Sequence, residues 1–532
     1  MTTLLSLWGF LLCLLSGWLA MALALETVLE LLAANVQGGQ RAKFCLQSCL
    51  ALAAGLSWCS AFSFLNFAGV SPTITLLLQV ALSFVLVLLQ ARRRAQRRSI
   101  EYSIDQTASQ AASTNAEKAG LFVSSKPRWL LPSFVLLGGI AALMLLVLTI
   151  QQPHGSWDAW AIWNSHARFF FRGGMNWTAY LAPPIAWTHA DYPLLIPLSV
   201  ARGWSIIGHE TTVIPAALAF FFTLGTGVLL ASALWLLRGP VQAFAASLML
   251  LSAPFLLVDG AGQCADVPLG FFFLATAVCF ALHDRATQQN QTTTVSSTQI
   301  STTQEAGTSF QGAIFVAGSM AGAAAWTKNE GLLFLVVAVI VRLLVARRLV
   351  VGRAAKARTA PSQLMAFVGG ALPFLVAIAL FKHFYAPPSD LAGGQDASIL
   401  SKIGDPARYA TIFAAFFHEM WNFNVWFYPP IVVLLPYAWL MGLRRGVFRR
   451  PVAIEYSTAL GLVALMLTGY FFIYLSTPRE LAWHLKTSLA RLLLQLWPMV
   501  VFVFFLMVRT PQEALSATSS EEEQSAGFIA TP

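Results

Sequence analysis

Thirteen long apolar runs interrupt this chain, and they constrain its fold more than any other feature. A helix needs about 20 such residues to cross a bilayer. Inside lipid the backbone must satisfy its own hydrogen bonds, so runs of this kind form helices. The sequence therefore predicts an all-α, polytopic integral membrane protein with about thirteen transmembrane helices. The runs, of which 267–282 and 311–326 are the shortest, are 2–25, 44–68, 71–90, 128–150, 211–237, 241–258, 267–282, 311–326, 330–349, 363–385, 425–443, 452–475 and 488–508.

The basic residues orient these spans, because Lys and Arg are retained preferentially on the cytoplasmic side. If successive spans alternate in direction, the runs "ARRRAQRR", "ARRLVVGRAAKAR" and "LRRGVFRR" all fall on one side. Assigning that side to the cytoplasm places 23 of the 33 Lys and Arg residues inside, with the N-terminus outside. Ala22 and Ala24 also fit a cleaved signal peptide, although no basic residue precedes the first run. We expect a multi-pass protein of the inner (plasma) membrane.

The composition is typical of a membrane protein and limits the kinds of partner that we expect. Only 11% of the residues are charged, whereas soluble domains carry about 25%. The net charge of +10 is explained by cytoplasmic loops that face anionic headgroups, so membrane lipids are expected partners and nucleic acid is not. All cysteines except Cys264 lie in or beside apolar runs, which favours packing over metal binding.

Two polar stretches rich in Ser, Thr, Gln and Ala divide the chain and are typical of flexible cytoplasmic linkers. The predicted organisation is a three-helix N-terminal unit at 1–98, a linker at 99–127, a core at 128–285, a linker at 286–309, the remaining helices at 310–510 and a disordered tail at 511–532. The predicted outer loop at 151–210 is too long for a simple connector. Its segments "WDAWAIWNSHARFFF" and "HADYPLLIPLSVARGWSIIG" are typical of helices that lie in the membrane interface.

Ionisable residues gather on the predicted outer side, each in an outer loop or at the outer end of a span. They are Asp158, His189, Asp191, Asp259, Asp266, Lys328, Glu330, His418, Glu419, Arg479, His484, Lys486 and Arg491. A carboxylate can take the proton of an attacking hydroxyl, and Lys or Arg can bind a departing phosphate. This combination is what sugar transfer from a lipid phosphate needs.

Some of these residues belong to four short motifs, and the order of the motifs along the chain resembles that in the GT-C superfamily of membrane glycosyltransferases. The resemblance is to the branch of protein O-mannosyltransferases and lipid A aminoarabinose transferases, and it covers about residues 128–350. The motifs are Asp158 in "WDAW", the turn and helix "HADYPLLIPL", Asp266 in "CADVPLGFFFLA", and Lys328 with Gly331 in "WTKNEGLL". The family often has a second acid where this chain has Ala159.

The resemblance implies an inverting transfer from a polyprenyl-phosphate sugar to a hydroxyl of a lipid, polysaccharide or protein, on the extracytoplasmic side. Asp158 would be the general base. Asp266 would orient a sugar or help to hold a divalent metal ion, if one is used; no cofactor is required. Lys328 would contact the donor phosphate, with Arg479 or Arg491 as a second contact.

Further residues are assigned to substrate binding on the same resemblance. His189 and Asp191 would shape the pocket for the donor sugar. His484 belongs to a basic cluster with Arg479 and Arg491, and Arg491 interrupts an apolar run, where an unpaired charge is costly. Glu330 would pair with Lys328 or cap the following helix.

Structural roles compete with each assignment. Asp158 could be a solvated residue at a helix end, flanked by Trp anchors. Asp266 could cap a helix, and Lys328 could extend to the membrane surface. His189 and Asp191 could serve a turn at Pro193. Elsewhere, Thr477 or Ser476 could cap the last span with Glu480, at nearly capping-box spacing, and His418 and Glu419 could belong to an interfacial helix.

The sequence leaves two other functions open. A transporter or flippase of a lipid-linked substrate would have many helices and a polar entrance, but it would use ionisable residues deep in the membrane. The predicted spans carry almost none of these. A non-enzymatic scaffold would not need the long outer loop with its ordered acidic residues.

Overall fold

The computed structural model describes residues 2–34, 36–111, 129–296, 310–349, 353–389, 399–423, 429–444 and 452–517. In this part of the chain the regular structure is helical, and a single isolated bridge joins Leu443 to Val508. The α-helices are α1 Thr2–Ala34, α2 Gly39–Phe67, α3 Pro72–Ala111, α4 Leu130–Gln151, α5 Asn164–Gly173, α6 Leu195–Ile207, α7 Val213–Arg238, α8 Pro240–Leu251, α9 Pro254–Ala261, α10 Asp266–Ser296, α11 Gln311–Thr327, α12 Asn329–Leu349, α13 Arg353–Phe384, α14 Ile399–Ile403, α15 Pro406–Asn422, α16 Pro430–Met441, α17 Val452–Ser476 and α18 Leu481–Met507.

The predicted class, an α-helical membrane protein, is confirmed, but the number of thirteen spans is not. Among the described residues, nine helices are long and apolar enough to cross a membrane, and α8 with α9 forms a tenth candidate that is bent by 61°. The predicted spans 311–326, 330–349 and 425–443 do not qualify. α11 has 17 residues and α16 has 12, both shorter than the roughly 20 residues of a span. In α12 the side chains are described only as far as Val345.

The helices extend into the stretches that the sequence predicts to be flexible. α3 continues to Ala111 and α10 to Ser296, so each predicted linker begins as helix. Residues 511–517 of the predicted tail are also helical. The rest of these three stretches, 112–128, 297–309 and 518–532, lies outside the described residues.

The loop at 151–210 is helical, as its amphipathic pattern predicts. A π-helical turn at Ala159–Trp163 follows Asp158 directly, and two 3₁₀ segments separate α5 from α6. Trp157 and Trp160 are exposed, whereas Trp163 is buried. The loop therefore has a packed core and also presents aromatic rings outward at its start.

α10 forms the centre of the bundle, because the apolar stretch that qualifies it as a span is buried along its whole length. Beside it, α11 and α13 approach backbone to backbone. A Cβ at Gly318 would lie 1.9 Å from the carbonyl oxygen of Phe367, and one at Gly370 would lie 1.9 Å from that of Phe315. Small residues permit such close packing of helices in membranes. This contact holds together the two helices whose far ends carry Lys328 and Lys382.

Candidate functional site

A polar cavity of about 370 Å³ lies where α11, α12, α13, α17 and α18 meet the 151–210 loop. We call it the polar cavity; its walls are His189, Asp191, Tyr192, Lys328, Asn329, Glu330, Leu332, Leu333, Lys382, Ser389, Ile473, Arg479, His484, Ser488, Arg491 and Leu492. Seven of the residues singled out in the sequence line it: His189, Asp191, Lys328, Glu330, Arg479, His484 and Arg491. Residues separated by up to about 300 positions thus converge on one space.

Asp158 and Asp266, the two predicted catalytic acids, do not line the cavity but contact residues that do. Oδ2 of Asp158 accepts a hydrogen bond from Nη1 of Arg491. Oδ1 of Asp266 accepts one from Nζ of Lys328 at 2.9 Å. Asp158 is thus held by a cation of the wall while 17% of its side chain stays exposed, whereas Asp266 is buried behind Lys328.

Lys328 is placed by the break between α11 and α12. Its backbone is extended, with φ −157° and ψ 159°, and its side chain is buried. Its Nζ lies 2.9 Å from Asp266 and 3.1 Å from Glu330. Burial alone would lower the pKa of Lys328, but these carboxylates raise it well above its ordinary value. Lys328 is thus a permanent cation with two acidic partners, as the Glu330 pairing predicts.

Asp266 begins α10 and is almost completely buried. Besides Lys328, its Oδ1 accepts a hydrogen bond of 2.5 Å from Nε2 of Gln495. The hydroxyl of Tyr470 in turn donates to Oε1 of Gln495 at 2.6 Å. This chain ties Asp266 to α17 and α18, so the carboxylate is rigidly positioned beneath the cavity.

Lys382, at the end of α13, is a cation of the cavity that the sequence analysis missed. Its Nζ donates to the backbone carbonyl of Asp191 at 2.5 Å and to Oδ1 of Asn329 at 3.1 Å. Nδ2 of Asn329 donates to Oδ2 of Asp191 at 2.7 Å. In the sequence, Lys382 is a basic residue near the outer end of the apolar run 363–385, and this position alone does not distinguish it from a residue of the span.

His189 serves a turn and also faces the cavity. Its backbone is left-handed, with φ 56°, and its carbonyl accepts from the amide of Tyr192 at 2.9 Å. Its ring stacks on Tyr192, 4.7 Å between centroids. His189 therefore both belongs to a turn and lines the cavity.

The α18 side of the cavity begins at a helix cap. Glu480 caps α18 by accepting from the amides of Ala482 at 2.9 Å and Trp483 at 2.6 Å. The prediction that Thr477 or Ser476 caps this helix is therefore wrong, since a longer side chain closer to the helix takes the position. Thr477 instead bonds Nδ1 of His484, at 2.9 Å.

His418 and Glu419 lie on α15, as the helical interpretation predicts, and neither lines the cavity. Part of their motif, residues 424–428, is outside the described residues. Lys486 and Asp259 do not line it either. One oxygen of Asp259, Oδ2, is buried without a hydrogen-bond partner among the described atoms.

The walls of the polar cavity combine four cations with two carboxylates. The cations are Lys328, Lys382, Arg479 and Arg491, and the carboxylates are Asp191 and Glu330. Oε2 of Glu330 is buried without a hydrogen-bond partner in the described part of the chain. Such a cluster can bind an anionic group through charge-assisted hydrogen bonds while acids remain beside it. Three or more His, Cys, Asp or Glu side chains grouped for a metal ion are not found among the described residues.

A second group of charges lies inside the bundle and corrects the expectation that the spans carry almost none. Arg342 of α12 donates to both oxygens of Asp284, at 2.7 and 3.0 Å, and to Gln363 at 3.1 Å. His283 and Thr458 complete it, with hydrogen bonds to Asp284 of 3.0 and 3.3 Å. We call these five residues, all buried, the buried ion cluster. The predicted span 267–282 ended just before His283, whereas α10 continues.

Neither a family model nor a curated protein nor a solved structure was found to match this chain.

Proposed function

We propose that this chain is a membrane glycosyltransferase of the GT-C type. It transfers a sugar, with inversion, from a polyprenyl-phosphate donor to an acceptor hydroxyl at the extracytoplasmic membrane face. The observation that carries the proposal is the pairing of Asp158 with Arg491 at the polar cavity. A cation suited to a phosphate and a carboxylate suited to a hydroxyl proton are thus neighbours.

The donor phosphate binds to Lys328 and Arg491, with Lys382 or Arg479 as further contacts. All four side chains line one cavity, and opposing cations stabilise the charge that develops on a leaving phosphate. The remaining walls include Leu332, Leu333, Ile473 and Leu492. These apolar groups suit the first prenyl units of a lipid whose tail stays in the bilayer.

Asp158 acts as the general base. In the absence of substrate its carboxylate is paired with Arg491. A phosphate that binds Arg491 competes for that guanidinium and frees the carboxylate to accept a proton. The acceptor oxygen then forms a bond to the anomeric carbon, the bond from that carbon to the phosphate oxygen breaks, and the hydroxyl proton passes to Asp158.

Asp266 is a positioning residue in this scheme. It is buried and bonded to Lys328 and Gln495, so it fixes the cation that holds the phosphate. Asp191 and His189, which line the cavity with Asn329, offer acceptors and donors for sugar hydroxyls. The acceptor is a lipid, a polysaccharide or a protein.

Sugar transfer from a panel of polyprenyl-phosphate sugars tests the proposal, in membranes that contain wild type, Asp158→Asn or Asp405→Asn. Asparagine keeps the shape of Asp158 but accepts no proton, so transfer should fall by about 10²–10⁴-fold. Asp405→Asn is the matched control, since Asp405 only caps α15 and Asn caps as well. Equal transfer by all three removes Asp158 as the base. A wild type that inserts normally but transfers no sugar contradicts the proposal and favours transport.

A further inference from the structure

A second and larger cavity, of about 880 Å³, lies between the N-terminal helices and the rest of the bundle. We call it the apolar cavity. It is lined by α1, α2 and α3 on one side and by α11 and α13 on the other, and it shares no lining residue with the polar cavity. The space is partly open to the outside of the bundle, so a molecule of the surrounding bilayer can enter it.

The lining of the apolar cavity changes from apolar to charged side chains towards one end. Along α3 it consists of Leu82, Leu86, Leu89 and Arg93, a stripe at helical spacing that changes from leucine to arginine at one end. Arg92 lines the same end. All other side chains of the lining are apolar, apart from the side-chain-free Gly312. The cavity is thus a hydrocarbon-lined space with two cations at its rim.

The arginine end is fixed against α1 and α11. Nη1 of Arg93 donates to the backbone carbonyl of Leu23 in α1. At the next residue, α1 and α11 touch, since a Cβ at Gly312 would lie 2.1 Å from the carbonyl oxygen of Ala24. No carboxylate in the described part of the chain is paired with Arg92 or Arg93. The rim therefore carries positive charge that a bound anion can neutralise.

We propose that the apolar cavity binds one anionic phospholipid of the surrounding bilayer. Its phosphate contacts Arg92 and Arg93, and its acyl chains fill the space between α2, α3 and α13. Charge complementarity selects the headgroup, because basic residues at the cytoplasmic leaflet attract anionic lipids. Access is lateral, since α3 buries only 22% of its apolar stretch against the protein. The lipid then joins the three N-terminal helices to the remaining bundle.

Native mass spectrometry of the full chain in detergent tests this site, with phosphatidylglycerol and phosphatidylcholine titrated separately. Arg93→Gln removes one headgroup cation and should weaken phosphatidylglycerol binding by about fivefold. The matched control is Arg94→Gln, which loses the same charge from an exposed side chain that does not line the cavity. We expect this control to bind like wild type, and phosphatidylcholine to bind more weakly in all three proteins.

A second pair of variants tests the acyl-chain part. Leu86→Trp places a larger ring in the cavity, whereas Leu88→Trp makes the same change at an exposed position of the same helix. We expect loss of the tightly bound lipid in Leu86→Trp alone. The proposal is overturned if Arg93→Gln and Arg94→Gln weaken binding equally, or if Leu86→Trp keeps the lipid. Neither assay depends on sugar transfer, so the result is independent of the proposed function.

Discussion

The polar cavity and the buried ion cluster are built on the same two helices, α10 and α12. Asp266 and Asp284 lie about 27 Å apart along α10, and Glu330 and Arg342 both belong to α12. At one end Lys328 contacts two carboxylates at 2.9 and 3.1 Å beside an open space. At the other end Arg342 contacts one carboxylate and one amide, both of them buried.

The two regions suit different roles. The polar cavity has room for a ligand, whereas the buried ion cluster links neighbouring helices. In the buried ion cluster the guanidinium and the carboxylate of Asp284 satisfy each other, and its members do not line the polar cavity. At the polar cavity a carboxylate oxygen of Glu330 lacks a described partner and four cations face the space. We therefore propose the polar cavity, and not the buried ion cluster, as the place where a substrate binds.

The largest effect on stability is expected at the buried ion cluster. Asp284→Ala leaves Arg342 buried without its counter-charge, and breaking such a pair costs about 3–5 kcal/mol of unfolding free energy. Equilibrium unfolding in mixed micelles measures this loss. Asp284→Asn, which keeps a hydrogen-bond acceptor, should lose less. If Asp284→Ala is as stable as wild type, the cluster does not hold the bundle together.

A smaller loss is expected at the other end of α10. Asp266→Asn leaves Lys328 paired with Glu330, so the buried cation keeps one counter-charge. We expect about 1–3 kcal/mol, from weaker hydrogen bonds to Lys328 and Gln495. The same unfolding measurement applies. If Asp266→Asn loses as much unfolding free energy as Asp284→Ala, the two regions do not differ in their contribution to stability.

The smallest loss of stability is expected from Thr458, at the edge of the buried ion cluster. Thr458→Val removes one hydroxyl donor, 3.3 Å from Asp284, while Arg342 stays in place. The expected loss is about 0.5–1.5 kcal/mol. Thr468→Val on the same helix is the control, because that hydroxyl is exposed and bonds only its own helix backbone. Identical unfolding of the two variants would show that Thr458 contributes nothing to the cluster.

The membrane class could be predicted because it depends only on the length and composition of the apolar runs. Seven residues that line the polar cavity could be singled out because they are ionisable and lie in loops or at the ends of apolar runs on one predicted side.

The pairwise geometry could not be predicted in this way. That Asp158 contacts Arg491, and that Gln495 reaches Asp266, depends on the rotation of α18 about its axis. Arg342 interrupts the apolar run 330–349, which indicates a buried partner. The partner itself could not be predicted, because Asp284 lies just beyond the run 267–282 and on another helix.

Binding of sugar-free polyprenyl phosphate to the purified chain tests the central claim most directly. Arg491→Gln removes a cation that lines the polar cavity, and Arg94→Gln removes an exposed cation that lines neither cavity. We predict that Arg491→Gln weakens binding about tenfold or more, while Arg94→Gln leaves it unchanged. Equal weakening by both, or weakening by Arg94→Gln alone, would contradict the claim that the polar cavity holds the lipid phosphate.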